Sequence, residues 1–89
     1  MGFMKFDLGK LQQGKVVEVT LSGSVTNVLL LDRSNMYNYE RCRDYDYHGG
    51  IAKKSPVRFE IPRQDNWFIV VDREGIGTDE KSTASVKVL

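Results

Sequence analysis

Apolar residues alternate with polar ones along much of this chain, which is the pattern of a β-strand with one buried face. Val17, Val19 and Leu21 show it clearly, because one polar residue separates each from the next. The same period of two recurs elsewhere. It predicts strands at residues 4–8, 15–21, 57–61 and 84–88.

Two segments are apolar on both sides and predict strands in the interior of a sheet, covered on each face. They are residues 25–31, which contain VLLL, and residues 67–72, which begin WFIVV. Polar corners precede both segments, so we expect two hairpins. The first would join 15–21 to 25–31, and the second would join 57–61 to 67–72.

The middle of the chain has no clear period. Its first residues, DRSN at 32–35, favour a turn or a helix N-cap, which allows one short helix near residues 34–41. Tyr45 and Tyr47 alternate with polar residues and predict a half-exposed strand that ends at the glycine pair 49–50. Residues 73–82 are glycine-containing and charged, and predict a mobile loop.

About seven short strands with little helix predict an all-β fold in a single domain over residues 1–89. We expect an antiparallel β-sandwich, jelly-roll-like, or a flattened barrel. Its predicted core consists of Phe6, Leu8, Val17, Val19, Leu21, Val28, Leu30, Phe59, Ile61, Trp67, Ile69, Val71, Val86 and Val88.

The composition narrows the class of protein. A single cysteine among 89 residues excludes an internal disulfide framework and fits a reducing compartment, so we expect a cytoplasmic protein. No apolar run approaches the roughly 20 residues that cross a bilayer, and we expect no membrane association. The net charge of +1 gives no general reason to expect nucleic acid as a partner.

Several short segments, in order, resemble one protein family. They are MKFDLG, VVEVTLSG, NVLLLD, SNMYNY, GG, SPVRFEIP, WFIVVD and a final VKVL. Together they are similar to a small bacterial family catalogued as a domain of unknown function, whose members are short single-domain proteins or are joined to TIR-type signalling domains. A more distant likeness, in pattern alone, is to β-sandwich domains appended to bacterial secreted peptidases. Neither resemblance implies catalytic residues for this chain.

Departures from the family pattern fall in two segments. Residues 73–82 are more charged than the glycine-rich loop of the family, and ERCRDYDYH at 40–48 is particular to this sequence. A site built from these segments would therefore be particular to this protein.

Catalytic and metal-binding sets are absent from the sequence. His48 is the single histidine and no G-x-S-x-G nucleophile elbow accompanies it. Cys42 has no second cysteine with which to form a zinc site, and we interpret it as a spare surface thiol. Asp44 and Asp46 could offer oxygens to calcium, but carboxylates paired with nearby arginines explain them as well. We therefore predict a protein that is not an enzyme and has no metal or cofactor.

Aromatic rings, amides and positive charges are concentrated in residues 33–54, and this segment is the predicted recognition surface. Its candidate binding residues are Asn35, Tyr37, Asn38, Tyr39, Arg41, Arg43, Tyr45, Tyr47, Lys53 and Lys54. The favoured ligands are a carbohydrate or a protein partner, including a second copy of the chain. The alternatives are single-stranded nucleic acid on an OB-like barrel and, third, a small hydrolase. The tyrosines also fit a purely structural interpretation as half-buried strand residues.

Overall fold

A computed structural model describes residues 3–22, 26–52, 54–72 and 83–89. The described residues form seven strands and one short helix, in agreement with the predicted all-β class. The elements are β1 (Phe3–Leu11), β2 (Val16–Ser22), β3 (Thr26–Asp32), α1 (Arg33–Glu40), β4 (His48–Ala52), β5 (Val57–Glu60), β6 (Asp65–Asp72) and β7 (Thr83–Val88).

The strands pair into two antiparallel sheets. The larger has the order β1-β6-β3-β4 and the smaller the order β5-β2-β7. No pairing between the described strands joins one sheet to the other. The fold is therefore an open β-sandwich, and the flattened barrel is excluded.

The main core lies between the two sheets. Trp67 and Ile69 of β6 are buried there with Val17 and Val19 of β2. Partly buried apolar side chains from β1, β2, β4, β5 and β7 surround them. Most of the predicted core residues belong to this cluster. Val88 does not, because it lies at the end of β7 and is 39% exposed.

A second apolar layer covers the opposite face of the larger sheet. Leu29, Leu31 and Val70 are buried there beneath Met36 of α1. This layer explains why β3 and β6 are apolar on both sides. The prediction that both strands lie in a sheet interior with cover on each face is confirmed.

The two predicted hairpins are wrong. Strand β2 pairs with β5 and β7, whereas β3 lies in the other sheet. Similarly, β5 pairs with β2, and β6 lies between β1 and β3. The connections β2–β3 and β5–β6 each cross from one sheet to the other, because β3 and β6 are apolar on both faces and bury most surface beside each other at the centre of the larger sheet.

The middle segment departs from the prediction in part. The short helix near 34–41 is confirmed as α1, but Tyr45 and Tyr47 precede the strand and do not lie in it. The strand is β4, and it contains Gly49 and Gly50, which were expected to end it. The predicted loop at 73–82 lies outside the described residues. Within the part of the chain that the structure describes, no helix is long and apolar enough to cross a membrane.

Candidate binding site

Asp32 organises the start of α1. It is the N-cap residue, and its Oδ1 accepts hydrogen bonds from the backbone N–H and the side-chain Nδ2 of Asn35, both at 2.9 Å. Its Oδ2 accepts a hydrogen bond from Arg63, which follows β5. The carboxylate is buried, with a side chain 7% exposed, and these three donors compensate for its removal from water.

Asn35 extends this network into the segment after the helix. Its Oδ1 accepts a hydrogen bond from the backbone N–H of Asp46 at 2.8 Å. The chain beyond α1 is thereby tied to the first turn of the helix. The side chains of Asp46, Tyr47 and His48 are brought to the same place as a result.

A polar cleft of about 180 Å³ forms at this junction. Its lining combines two aromatic residues, a histidine, two carboxylates, an amide and a guanidinium. The lining residues are Leu30, Asp32, Asn35, Asp46, Tyr47, His48, Arg63 and Trp67.

The arginine of the cleft is held between two carboxylates. Arg63 donates from Nη1 to Asp65 Oδ2 at 2.6 Å and from Nη2 to Asp32. These hydrogen bonds raise the pKa of the Arg63 guanidinium above its usual value, and the bond from Arg63 lowers the pKa of the Asp65 carboxyl. The positive charge of Arg63 is thus already paired with two carboxylates of the protein.

Tyr47 and His48 supply the accessible rings of the cleft. Tyr47 is 49% exposed and lies against Tyr45, with ring centroids 5.7 Å apart. The His48 ring lies 6.1 Å from the ring of Trp67, which is buried and forms the floor. The Trp67 indole N–H is satisfied by the carbonyl of Arg63 at 3.0 Å.

The four tyrosines do not share one exposed face. Tyr37 is also 49% exposed, but it lies on the outer side of α1, where the Arg41 guanidinium lies 3.9 Å from its ring centroid. Tyr39 and Tyr45 point toward the sheet and pack on the second apolar layer. Their rings meet edge to face, with centroids 5.1 Å apart.

The two inward tyrosines also have polar contacts. Tyr39 donates its hydroxyl hydrogen to Asp72 Oδ2 at 2.7 Å. Burial raises the pKa of the Tyr45 phenol, and the nearby Tyr47 and Asp72 raise it further. Packing explains these two side chains, in line with the structural interpretation of the tyrosines.

The remaining predicted residues are dispersed. Asn38 lies near the end of α1, and its carbonyl oxygen accepts backbone hydrogen bonds from Arg41 and Arg43, whose side chains are exposed. Lys54 lies in a different cleft, between the two sheets. Lys53 lies outside the described residues. Of the nine predicted residues that the structure describes, only Asn35 and Tyr47 line the polar cleft.

Six of the eight residues that line this cleft were not among the predicted binding residues: Leu30, Asp32, Asp46, His48, Arg63 and Trp67. Asp32 followed by Asn35 is an N-cap pattern, so a local signal for the buried carboxylate existed. No local signal marked Arg63 or Trp67, because each comes to the cleft from distant parts of the chain. Among the described residues, no group of three or more metal-ligating side chains comes together, and Cys42 is exposed.

Comparisons with known proteins give the family of the chain. A search of curated proteins and a search of solved structures each found no match. A family model described as a domain of unknown function, DUF1883, matches residues 1–89. The chain therefore belongs to the DUF1883 family.

Proposed function

We propose that this protein is a non-catalytic binding module that recognises a neutral, hydroxylated ligand, a carbohydrate, in the polar cleft. The observation that carries the proposal is the combination, in one concave place, of accessible rings with hydrogen-bonding groups on a fixed frame. Sugars present apolar C–H faces and many hydroxyl groups, and such a lining suits both.

The frame of the cleft supports recognition because it is held before any ligand arrives. Asn35 and Arg63 are oriented by hydrogen bonds to Asp32. A ligand would therefore meet groups that have already lost their conformational freedom, which lowers the entropic cost of binding. The volume of about 180 Å³ is below the roughly 300–1,000 Å³ of pockets for drug-sized ligands, so a single sugar ring is the expected occupant.

Charge argues against nucleic acid as the ligand of this cleft. Asp32 and Asp46 contribute two negative charges to the lining and Arg63 one positive charge. Arg63 is moreover bonded to carboxylates on both sides. A phosphate would meet net repulsion here, whereas a neutral hydroxylated ligand would not.

The test is a screen of the purified protein on a glycan array, followed by calorimetry with a glycan that binds. Tyr47→Ala removes a ring of the cleft, and we expect it to weaken binding at least about tenfold. Tyr37→Ala is the matched control, since Tyr37 is equally exposed but lies on the other side of α1. It should leave the affinity unchanged.

Three results would contradict the proposal. The first is a wild-type protein that binds no glycan on the array. The second is an equal loss of affinity in both tyrosine variants, which would move the site away from the cleft. The third is binding to single-stranded oligonucleotides that falls steeply between about 50 and 200 mM salt, as expected of phosphate contacts.

A further inference from the structure

A second, larger cleft opens between the two sheets, where β4 and β5 are the edge strands. Its volume is about 420 Å³. Eight of the nine described residues that line it carry no ionisable side chain. The lining consists of Val28, Gly49, Gly50, Ile51, Ala52, Lys54, Pro56, Val57 and Phe59.

The cleft gives access to the side of the main core. Val57 and Phe59 of β5 pack against that core but are only partly buried, as is Ala52 of β4. Ile51 beside them is 62% exposed. Water thus contacts apolar side chains here that an apolar ligand could cover, and covering apolar surface favours binding.

Gly49 keeps this wall of the cleft free of side chains. A Cβ at Gly49 would lie 2.2 Å from the Val28 carbonyl oxygen and 3.1 Å from the ring of Phe59. Its φ of +112° also lies in a region that L-residues rarely adopt. The strand can therefore pass this close to the Phe59 ring only with glycine at that position.

Lys54 adds a positive charge to the lining of the cleft. Its side chain is exposed and is the one ionisable group among the described residues that line the cleft. An apolar lining with a cation beside it is complementary to a molecule that has an apolar body and one negative charge. The volume lies within the range of about 300–1,000 Å³ that is usual for small-molecule pockets.

We propose that the cleft between β4 and β5 binds a small amphipathic anion, with its alkyl or ring portion against Val57 and Phe59 and its anionic group near Lys54. This site shares no lining residue with the polar cleft and does not depend on the proposed carbohydrate ligand.

The test uses three probes of equal chain length that differ in charge: octanoate, octanol and octyltrimethylammonium, each below the concentration at which micelles form. Binding is followed by shifts of the backbone amide signals in ¹⁵N-labelled protein. We expect octanoate to shift signals of β4 and β5 selectively and to bind more tightly than octyltrimethylammonium.

Two variants locate the site. Lys54→Gln should weaken octanoate about two- to fivefold, as the loss of an exposed ion pair does, and should leave octanol unchanged. Lys10→Gln removes the same charge from an exposed position on β1 and should change neither. Ala52→Phe fills the cleft and should abolish binding of all three probes, with its amide spectrum showing that the variant is folded.

The proposal is overturned if octanoate shifts no signals in β4 and β5, or if the anion and the cation bind equally. It is also overturned if Lys54→Gln and Lys10→Gln weaken octanoate to the same extent. Failure of these tests leaves the glycan experiment unaffected, since Tyr47 is not part of this cleft.

Discussion

Asp32 shows how much a single side chain can decide in a small domain. Asp32 is the last residue of β3, and its carboxylate caps α1 and holds Arg63 in the polar cleft. Buried polar groups that are left without partners cost about 1–3 kcal/mol, so the network is stable only as long as all its members are present. Asp32 and Asn35 therefore serve the fold and the candidate site together.

Two replacements of Asp32 should separate the contribution of helix capping to stability from the contribution of its negative charge. Asp32→Ala removes the cap and should lower the free energy of unfolding by about 0.5–2 kcal/mol, since alanine accepts no hydrogen bond from the helix. Asp32→Asn retains a capping oxygen and should cost less. Urea denaturation of both variants measures the difference, and an asparagine variant as unstable as the alanine variant would show that capping is not the main term.

Tyr45 gives the protein a dependence on alkaline pH. Burial and the neighbouring Tyr47 and Asp72 raise the pKa of its phenol above the usual value of 10.0. In the unfolded chain the phenol ionises near that value, while in the folded protein it stays protonated to higher pH. The associated stability is complete below about pH 10 and is lost as the pH rises through the folded pKa.

Tyr45→Phe should remove this loss, because phenylalanine keeps the ring but cannot ionise. The difference in unfolding free energy between wild type and variant should be constant from pH 7 to 9 and should shift in favour of the variant above pH 10. Chemical denaturation at a series of pH values checks it. Parallel pH profiles across the whole range would contradict the assigned burial of Tyr45.

At the scale of elements, α1 depends on its contacts with the sheet. Eight residues are too few for a stable isolated helix, which needs about 12–15. Met36 is its buried residue and packs on Leu29, Leu31 and Val70. Tyr39 adds packing and a hydrogen bond to Asp72 in β6. The helix is held by tertiary contacts, and the polar cleft beside it depends on them.

Adjacent substitutions in α1 should have very different effects. Met36→Ala removes a fully buried side chain and should destabilise the protein by about 2–5 kcal/mol. Tyr37→Ala changes an exposed residue one position away and should cost within about 1 kcal/mol. Thermal unfolding of the two variants tests this, and similar losses would mean that α1 does not pack on the sheet through Met36.

For the whole molecule, the arrangement of strands predicts where stability is greatest. Strands β3 and β6 each pair on both sides and are covered on both faces, and β2 is the central strand of the smaller sheet. The edge strands β4 and β5 each have one paired neighbour among the described strands and border the open apolar cleft. Local opening should therefore begin at the edges.

Amide hydrogen exchange should follow this order. The slowest exchange is expected in β3 and β6, at rates close to those of global unfolding, and faster exchange in β4 and β5. Exchange rates are measured by NMR at two pH values, which verifies that they report the equilibria of local opening. Protection in β5 equal to that in β6 would contradict the assignment of β5 as an edge strand.

The sequence predicted the elements well but not their neighbours. Alternation in β2 and β7 and the two-sided apolar runs of β3 and β6 are local signals, and the structure bears them out. The predicted hairpins failed because pairing depends on which strands can bury most surface together, and this comparison involves the whole chain. The tyrosines differ in burial for the same reason. Tyr39 and Tyr45 pack on the apolar face of the larger sheet, whereas Tyr37 and Tyr47 are exposed.

By itself, the sequence determined the class of fold, the two central strands and the position of one short helix, because period and capping act over a few residues. Tertiary structure alone decided that Asn35 and Tyr47 meet Arg63 and Trp67 in a polar cleft, and that Lys54 borders an apolar one. The apolar cleft joins strands of both sheets, whereas the polar cleft joins β3, α1, β4 and β6 with the connection that carries Arg63. Both depend on how the strands pair and the layers pack, which is settled by the total burial of apolar surface and not by any local pattern.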